Sequence, residues 1–71
     1  MKIMTLGENL LYYRKLHGYT QKELARMLET EQSTYAFYEW DRREPTLRHV
    51  LRLAKLYGVS GETLVGEEYQ L

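Results

Sequence analysis

Apolar positions in this chain recur with a helical period, interrupted by short polar breaks. Leu6, Leu10, Tyr13 and Leu16 follow the spacing of about 3.6 residues per turn, which predicts a first helix over 6–17 with this stripe inward. Thr5 stands where an N-cap belongs, Glu8 three positions on completes a capping box, and Gly18 takes the left-handed position that closes a helix. Tyr19 is expected between this helix and the next. Thr20 caps a second helix over about 21–28, whose inward stripe is Leu24, Ala25 and Leu28. The break at Glu29, Thr30 and Glu31 predicts a tight turn, and a third helix starts near Gln32. If the turn needs a positive φ at Glu29, glutamate there implies mild strain or another turn geometry, because glycine is the residue that adopts that conformation freely.

On a wheel of 100° per residue, the third helix carries Tyr35, Tyr38 and Glu39 on one face and Ser33, Ala36, Phe37 and Trp40 on the other. The tyrosines are expected to pack inward and the second set to face out. A loop over 41–44 leads to Pro45, the only proline, and Thr46 caps a fourth helix over about 47–57. Its core stripe reads as Leu47, Val50, Leu51, Ala54 and Tyr57, with Arg48, Arg52 and Lys55 on the outer face. Gly58 ends it and Val59 returns to the core. Ser60 caps a short fifth helix containing Leu64 and Val65, Gly66 stops that helix, and the tail over 67–71 is expected to fray. Five helices without a strand pattern, repeat or linker predict an all-α single domain spanning 1–71, with its core over about 6–66.

Seventy-one residues allow one small core. The absence of cysteine removes disulfides and thiolate metal sites, and the cytoplasm is the expected location. Apolar runs of a few residues fall far short of the roughly 18 that a membrane helix needs. The opening MKIMTLGENL has no signal-peptide core, so a complete, soluble chain away from membranes is expected. His17 and His49 lie on different helices without a paired cysteine or carboxylate at ligand spacing; both are expected at the surface, and no metal. No Ser-His-Asp set, P-loop or glycine-rich cradle is present, so neither an enzyme nor a cofactor is expected. Among the seven tyrosines, Tyr13, Tyr19, Tyr35, Tyr38 and Tyr57 fall on core faces, which leaves Tyr12 and Tyr69 exposed rather than a stacking platform for single strands.

Ten basic and ten acidic residues give a net charge of zero, which weakens any argument for nucleic acid from bulk charge. Placement restores part of it: Arg42, Arg43, Arg48, Arg52 and Lys55 share one segment, while Glu62, Glu67 and Glu68 collect toward the end. The helix, turn and helix over 20–40 are the unit that sets one helix in the DNA major groove.

Over about 6–66 the chain resembles the Cro/CI-type helix-turn-helix family, also called XRE or phage-repressor-like. The resemblance is carried by Gly7-Glu8-Asn9-Leu10, Arg14-Lys15, Gly18-Tyr19-Thr20-Gln21, Glu23-Leu24-Ala25, Gln32-Ser33-Thr34, Tyr38-Glu39, Arg43-Glu44-Pro45-Thr46-Leu47, Leu53-Ala54 and Gly58-Val59-Ser60. It implies a compact five-helix, lambda-repressor-like DNA-binding domain, and a bacterial or phage regulator of transcription with repression as the expected mode. The resemblance places Gln21 on a DNA phosphate at the start of the second helix, and Gln32, Ser33 and Thr34 at base edges or phosphates. It also makes Arg14 and Glu39 a structural ion pair. The chain departs from the family at Glu31, which replaces a serine or threonine N-cap, at Phe37 and Trp40, which replace cationic or amide side chains, and at Asp41, where glycine is common.

The outward face of the third helix therefore has three readings. In the first, Gln32 and Ser33 hydrogen-bond in the groove while Phe37 meets thymine methyls, flanked by Ala36 and Trp40, with Arg42 and Arg43 on phosphates. In the second, Ala36, Phe37 and Trp40 form an apolar patch for a protein partner, making the domain an antitoxin-like or phage-encoded interaction module. In the third, both aromatics fold over the loop as peripheral core. Arg52 and Lys55 are read as an ordinary solvated face. The expected partners are double-stranded DNA and a second copy, paired through the fifth helix and the tail with Leu71, with DNA able to induce the pairing.

Overall fold

The computed structural model describes residues 4–66. Five helices follow in order: α1 (Leu6–His17), α2 (Gln21–Met27), α3 (Gln32–Glu39), α4 (Leu47–Tyr57) and α5 (Gly61–Val65). No strand occurs among the described residues, and no helix there is long and apolar enough to cross a membrane. The tail, with Tyr69 and Leu71, lies outside the described residues, as do the expectations placed on it.

The N-terminal signals in the sequence act as caps. Thr5 and Glu8 close a reciprocal capping box on α1, Thr20 and Glu23 do the same on α2, and Thr46 and Ser60 accept from the backbone N–H groups of His49 and Thr63. Glu31 is the N-cap of α3 but makes no side-chain capping bond.

The ends of the first four helices share one geometry. In α1 and α4, Gly18 and Gly58 take left-handed φ values of 75° and 70°. The same paired closure ends α2 and α3 without glycine: Glu29 and Asp41 both hold φ at 56°. Behind Glu29, the N–H groups of Glu29 and Thr30 donate to the carbonyls of Arg26 and Ala25; behind Asp41, those of Asp41 and Arg42 donate to Tyr38 and Phe37. The turn between α2 and α3 is thus a Schellman closure that a glutamate is made to complete.

Leu6 and Leu10 of α1, Leu24, Ala25 and Leu28 after them, Tyr35 and Tyr38 of α3, Val50, Leu53, Ala54 and Tyr57 of α4, and Leu64 of α5 form one buried cluster, with Tyr13, Tyr19, Val59 and Val65 packed partly buried against it. Asn9 Nδ2 donates to the Leu64 carbonyl at 3.0 Å and fastens α5 to α1.

Core assignments on three helices are corrected. Leu16 is exposed because the buried face of α1 is centred on Leu6, Gly7 and Leu10, about a third of a turn away from it. In α4, Leu47 is 73% exposed and Leu51 is exposed too, whereas Leu53 is buried. Two apolar stripes overlap on that helix, and packing selects the one centred on Val50 and Tyr57. Ala36, expected to face out, is only 5% exposed.

Candidate nucleic-acid interface

The site is built on α2, the turn and α3. Three helices are pinned at one buried carboxylate, Glu39, whose side chain is 3% exposed. Arg14 of α1 approaches it with two nitrogens, Nε at 2.6 Å from Oε2 and Nη2 at 3.2 Å from Oε1, and its Nη1 donates to the Tyr19 carbonyl at 3.1 Å. Gln21, at the start of α2, donates from Nε2 to Glu39 Oε1 at 3.0 Å. Burial alone would push the Glu39 carboxyl up, but the hydrogen bonds from Arg14 and Gln21 and the guanidinium charge outweigh it and hold it below the usual carboxylate range. One amide hydrogen of Gln21 is thereby committed to the scaffold.

Along α3, Gln32 and Ser33 are exposed and Thr34 is half-buried. Phe37 and Trp40 are 38% and 59% exposed and meet edge to face, with ring centroids 5.9 Å apart. Ala36 is not among the exposed residues of this face: the buried arc of α3, set by Tyr38, Tyr35 and Glu39, is wide enough to take in residue 36 at its edge. The only charged residue of α3 is Glu39, so its exposed face carries no charge. Cations come from the next loop, where Arg42 and Arg43 are both exposed.

That loop is held by a contact that sequence reasoning missed. Asp41 turns its carboxylate to the start of α1, where Oδ1 accepts from the Gly7 N–H at 2.8 Å and Oδ2 from the Thr5 hydroxyl at 2.6 Å. The conformational ease of glycine is exchanged here for two charge-assisted hydrogen bonds. The available signal was a charged residue at a position suited to glycine.

Two further residues differ from expectation. Arg52 donates from Nη1 to the Met27 carbonyl at 3.1 Å, tying α4 to the end of α2 rather than standing free on a solvated face. His49 is half-buried, with Nδ1 2.9 Å from the Tyr38 hydroxyl, and not a free surface residue. No three metal-binding side chains converge among the described residues.

A capped helix, a closed turn and a second helix with an uncharged exposed stripe define a helix-turn-helix module. The chain matches the helix-turn-helix family over residues 10–64 and belongs to it, within the Cro/CI (XRE) type. It is 40% identical over 65 residues to the HTH-type transcriptional regulator ImmR of Bacillus subtilis (strain 168), covering 92% of this chain and 51% of ImmR. An uncharacterised HTH-type transcriptional regulator of Methanocaldococcus jannaschii is 36% identical over 59 residues, covering 83% of this chain and 89% of that protein. The chain thus spans about half the length of ImmR but most of the archaeal relative. Among solved structures, a transcriptional regulator from Listeria innocua superposes with a TM-score of 0.85 at 27% identity, over 100% of this chain and 64% of that one. The DNA-binding domain of the P22 C2 repressor superposes at 0.81, with 23% identity and 99% and 92% coverage, a likeness of fold.

Proposed function

We propose that the protein binds double-stranded DNA in a sequence-specific manner and regulates transcription, acting as a repressor by occluding its site. The observation that carries this reading is the exposed, uncharged stripe on the second helix of the motif, with Arg42 and Arg43 beside it. Gln32 and Ser33 supply amide and hydroxyl groups to base edges, and Gln21, Arg42 and Arg43 hold phosphates on either side. Thr34, half-buried, reaches a phosphate at the helix start. Palindromic half-sites about one helical turn apart would bring two copies together. Sedimentation that finds one protein per duplex at saturation would count against that pairing.

The test is selection from a random duplex pool, followed by titration of the enriched and scrambled duplexes across salt concentrations. Arg42→Ala and Arg43→Ala are each expected to weaken binding to both duplexes by a similar factor and to reduce the salt slope by about 1. The second reading, in which Phe37 and Trp40 seat a protein partner, is favoured by the 59% exposure of Trp40. It gains if no duplex is enriched and binding stays feeble at low salt.

A further inference from the structure

We propose that the apolar end of the α3 stripe reads the 5-methyl group of pyrimidines as such, so that one operator position accepts thymine and 5-methylcytosine over uracil and cytosine. The inference rests on the reading that α3 enters the major groove. Ser33, Phe37 and Trp40 are spaced by four and three residues, which aligns them on one face, and all three are exposed. The edge-to-face contact at 5.9 Å and 66° restrains both rings, so that Phe37 presents a fixed hydrocarbon edge rather than a mobile one.

The ring has no donor or acceptor. Set against the acceptors of guanine, it would strip water from a polar group and return no hydrogen bond, and set against the bare C5–H of cytosine or uracil it would find no hydrocarbon to contact. What it gains from a base pair is contact with hydrocarbon, and in the major groove that is the methyl on pyrimidine C5. The occupant is set by the surroundings of the patch. Hydrogen-bonding Gln32 and Ser33 lie N-terminal to it on the same helix, and the exposed arginines Arg42 and Arg43 lie on the C-terminal side. The one charged side chain of α3, Glu39, is buried on the opposite face, and the acidic groups Glu31 and Glu44 stand outside the stripe. An apolar spot between a hydrogen-bonding segment and a phosphate-binding one fits a base edge in a groove. Thymine and 5-methylcytosine place their methyl groups alike, so the ring has no means of telling them apart.

The experiment uses the enriched duplex with single thymines replaced by deoxyuridine, and the corresponding site carrying cytosine or 5-methylcytosine, titrated by anisotropy. One methyl in apolar contact is worth roughly a fourfold preference. At one position the protein should bind thymine about fourfold tighter than uracil and 5-methylcytosine tighter than cytosine by a similar factor. Phe37→Ala should abolish both preferences with the salt slope unchanged, and Phe37→Leu should keep them; circular dichroism checks that both variants are folded. Equal affinity for thymine and uracil at every position, with the enriched duplex still preferred over the scrambled one, overturns the methyl inference alone, as does a preference that survives Phe37→Ala. Absence of binding to any duplex overturns the DNA reading and this inference with it.

Discussion

Gly7→Ala is expected to destabilise the domain by about 3 kcal/mol, a sum of overpacking and the loss of a charge-assisted hydrogen bond. A Cβ at residue 7 would overlap the Glu39 carbonyl oxygen and stand 2.7 Å from Asp41 Oδ2. The first obstacle is backbone at the end of α3, and it has little freedom to retreat, because the paired closure through Asp41 and Arg42 and the Arg14 contact fix it from both sides. The second is the carboxylate that receives the Gly7 N–H itself. Moving it away removes the contacts that offset the left-handed conformation at residue 41. For a domain of this size the loss is a large share of a total of roughly 5 kcal/mol or somewhat more. Urea unfolding should show a lower midpoint with an unchanged m-value. Placing the same substitution in an Asp41→Gly background should cost less than in the wild type, but more than zero, because the carbonyl overlap remains. A wild-type midpoint shift equivalent to less than about 1 kcal/mol would show that the two helices separate more easily than this geometry implies.

That contact also marks where sequence reading stops. Helix number, order and N-terminal capping are local properties, and Thr5, Thr20, Thr46 and Ser60 announce them within four residues each. Burial on an amphipathic helix is not local. In α4 two apolar stripes lie side by side, and only the docking of α5 and the rest of the core decides that Leu53 goes in while Leu47 and Leu51 stay out. Ala36 illustrates the same limit on α3, where bulky Tyr35 and Tyr38 draw the helix deep enough to bury a small neighbour. Helix ends are legible where glycine takes the left-handed position, as at Gly18 and Gly58. They are hidden where Glu29 and Asp41 do, because the compensation at Asp41 comes from residues more than thirty positions earlier. The Arg14 to Glu39 contact spans 25 positions and leaves no periodic trace; a resemblance between whole chains can suggest it, but propensity and spacing cannot.

Arg14→Ala is expected to cost about 3 kcal/mol at neutral pH, the lower end for breaking a buried pair, since the arginine side chain is partly exposed while the carboxylate is not. The signature that separates this from simple loss of packing is its pH dependence. In the wild type the Glu39 carboxyl titrates below its unfolded value, so its contribution is fully present above about pH 4.3 and is lost as pH falls through the folded value. Without Arg14 the guanidinium hydrogen bonds and charge are gone, burial as the largest influence is opposed mainly by Gln21, and the carboxyl is expected to titrate above its unfolded value. The folded variant then binds the proton more readily than the unfolded chain does, and acid stabilises it relative to neutral conditions. The gap between wild type and variant should accordingly be widest near pH 7 and narrow steadily toward pH 3. Adding Glu39→Gln to Arg14→Ala should recover much of the loss at pH 7, because it removes the unpaired charge and keeps an amide for Gln21 to meet. A gap that stays constant from pH 7 to pH 3, with no recovery in the double variant, would mean that water reaches Glu39 once the arginine is gone, and that packing alone made Arg14 matter.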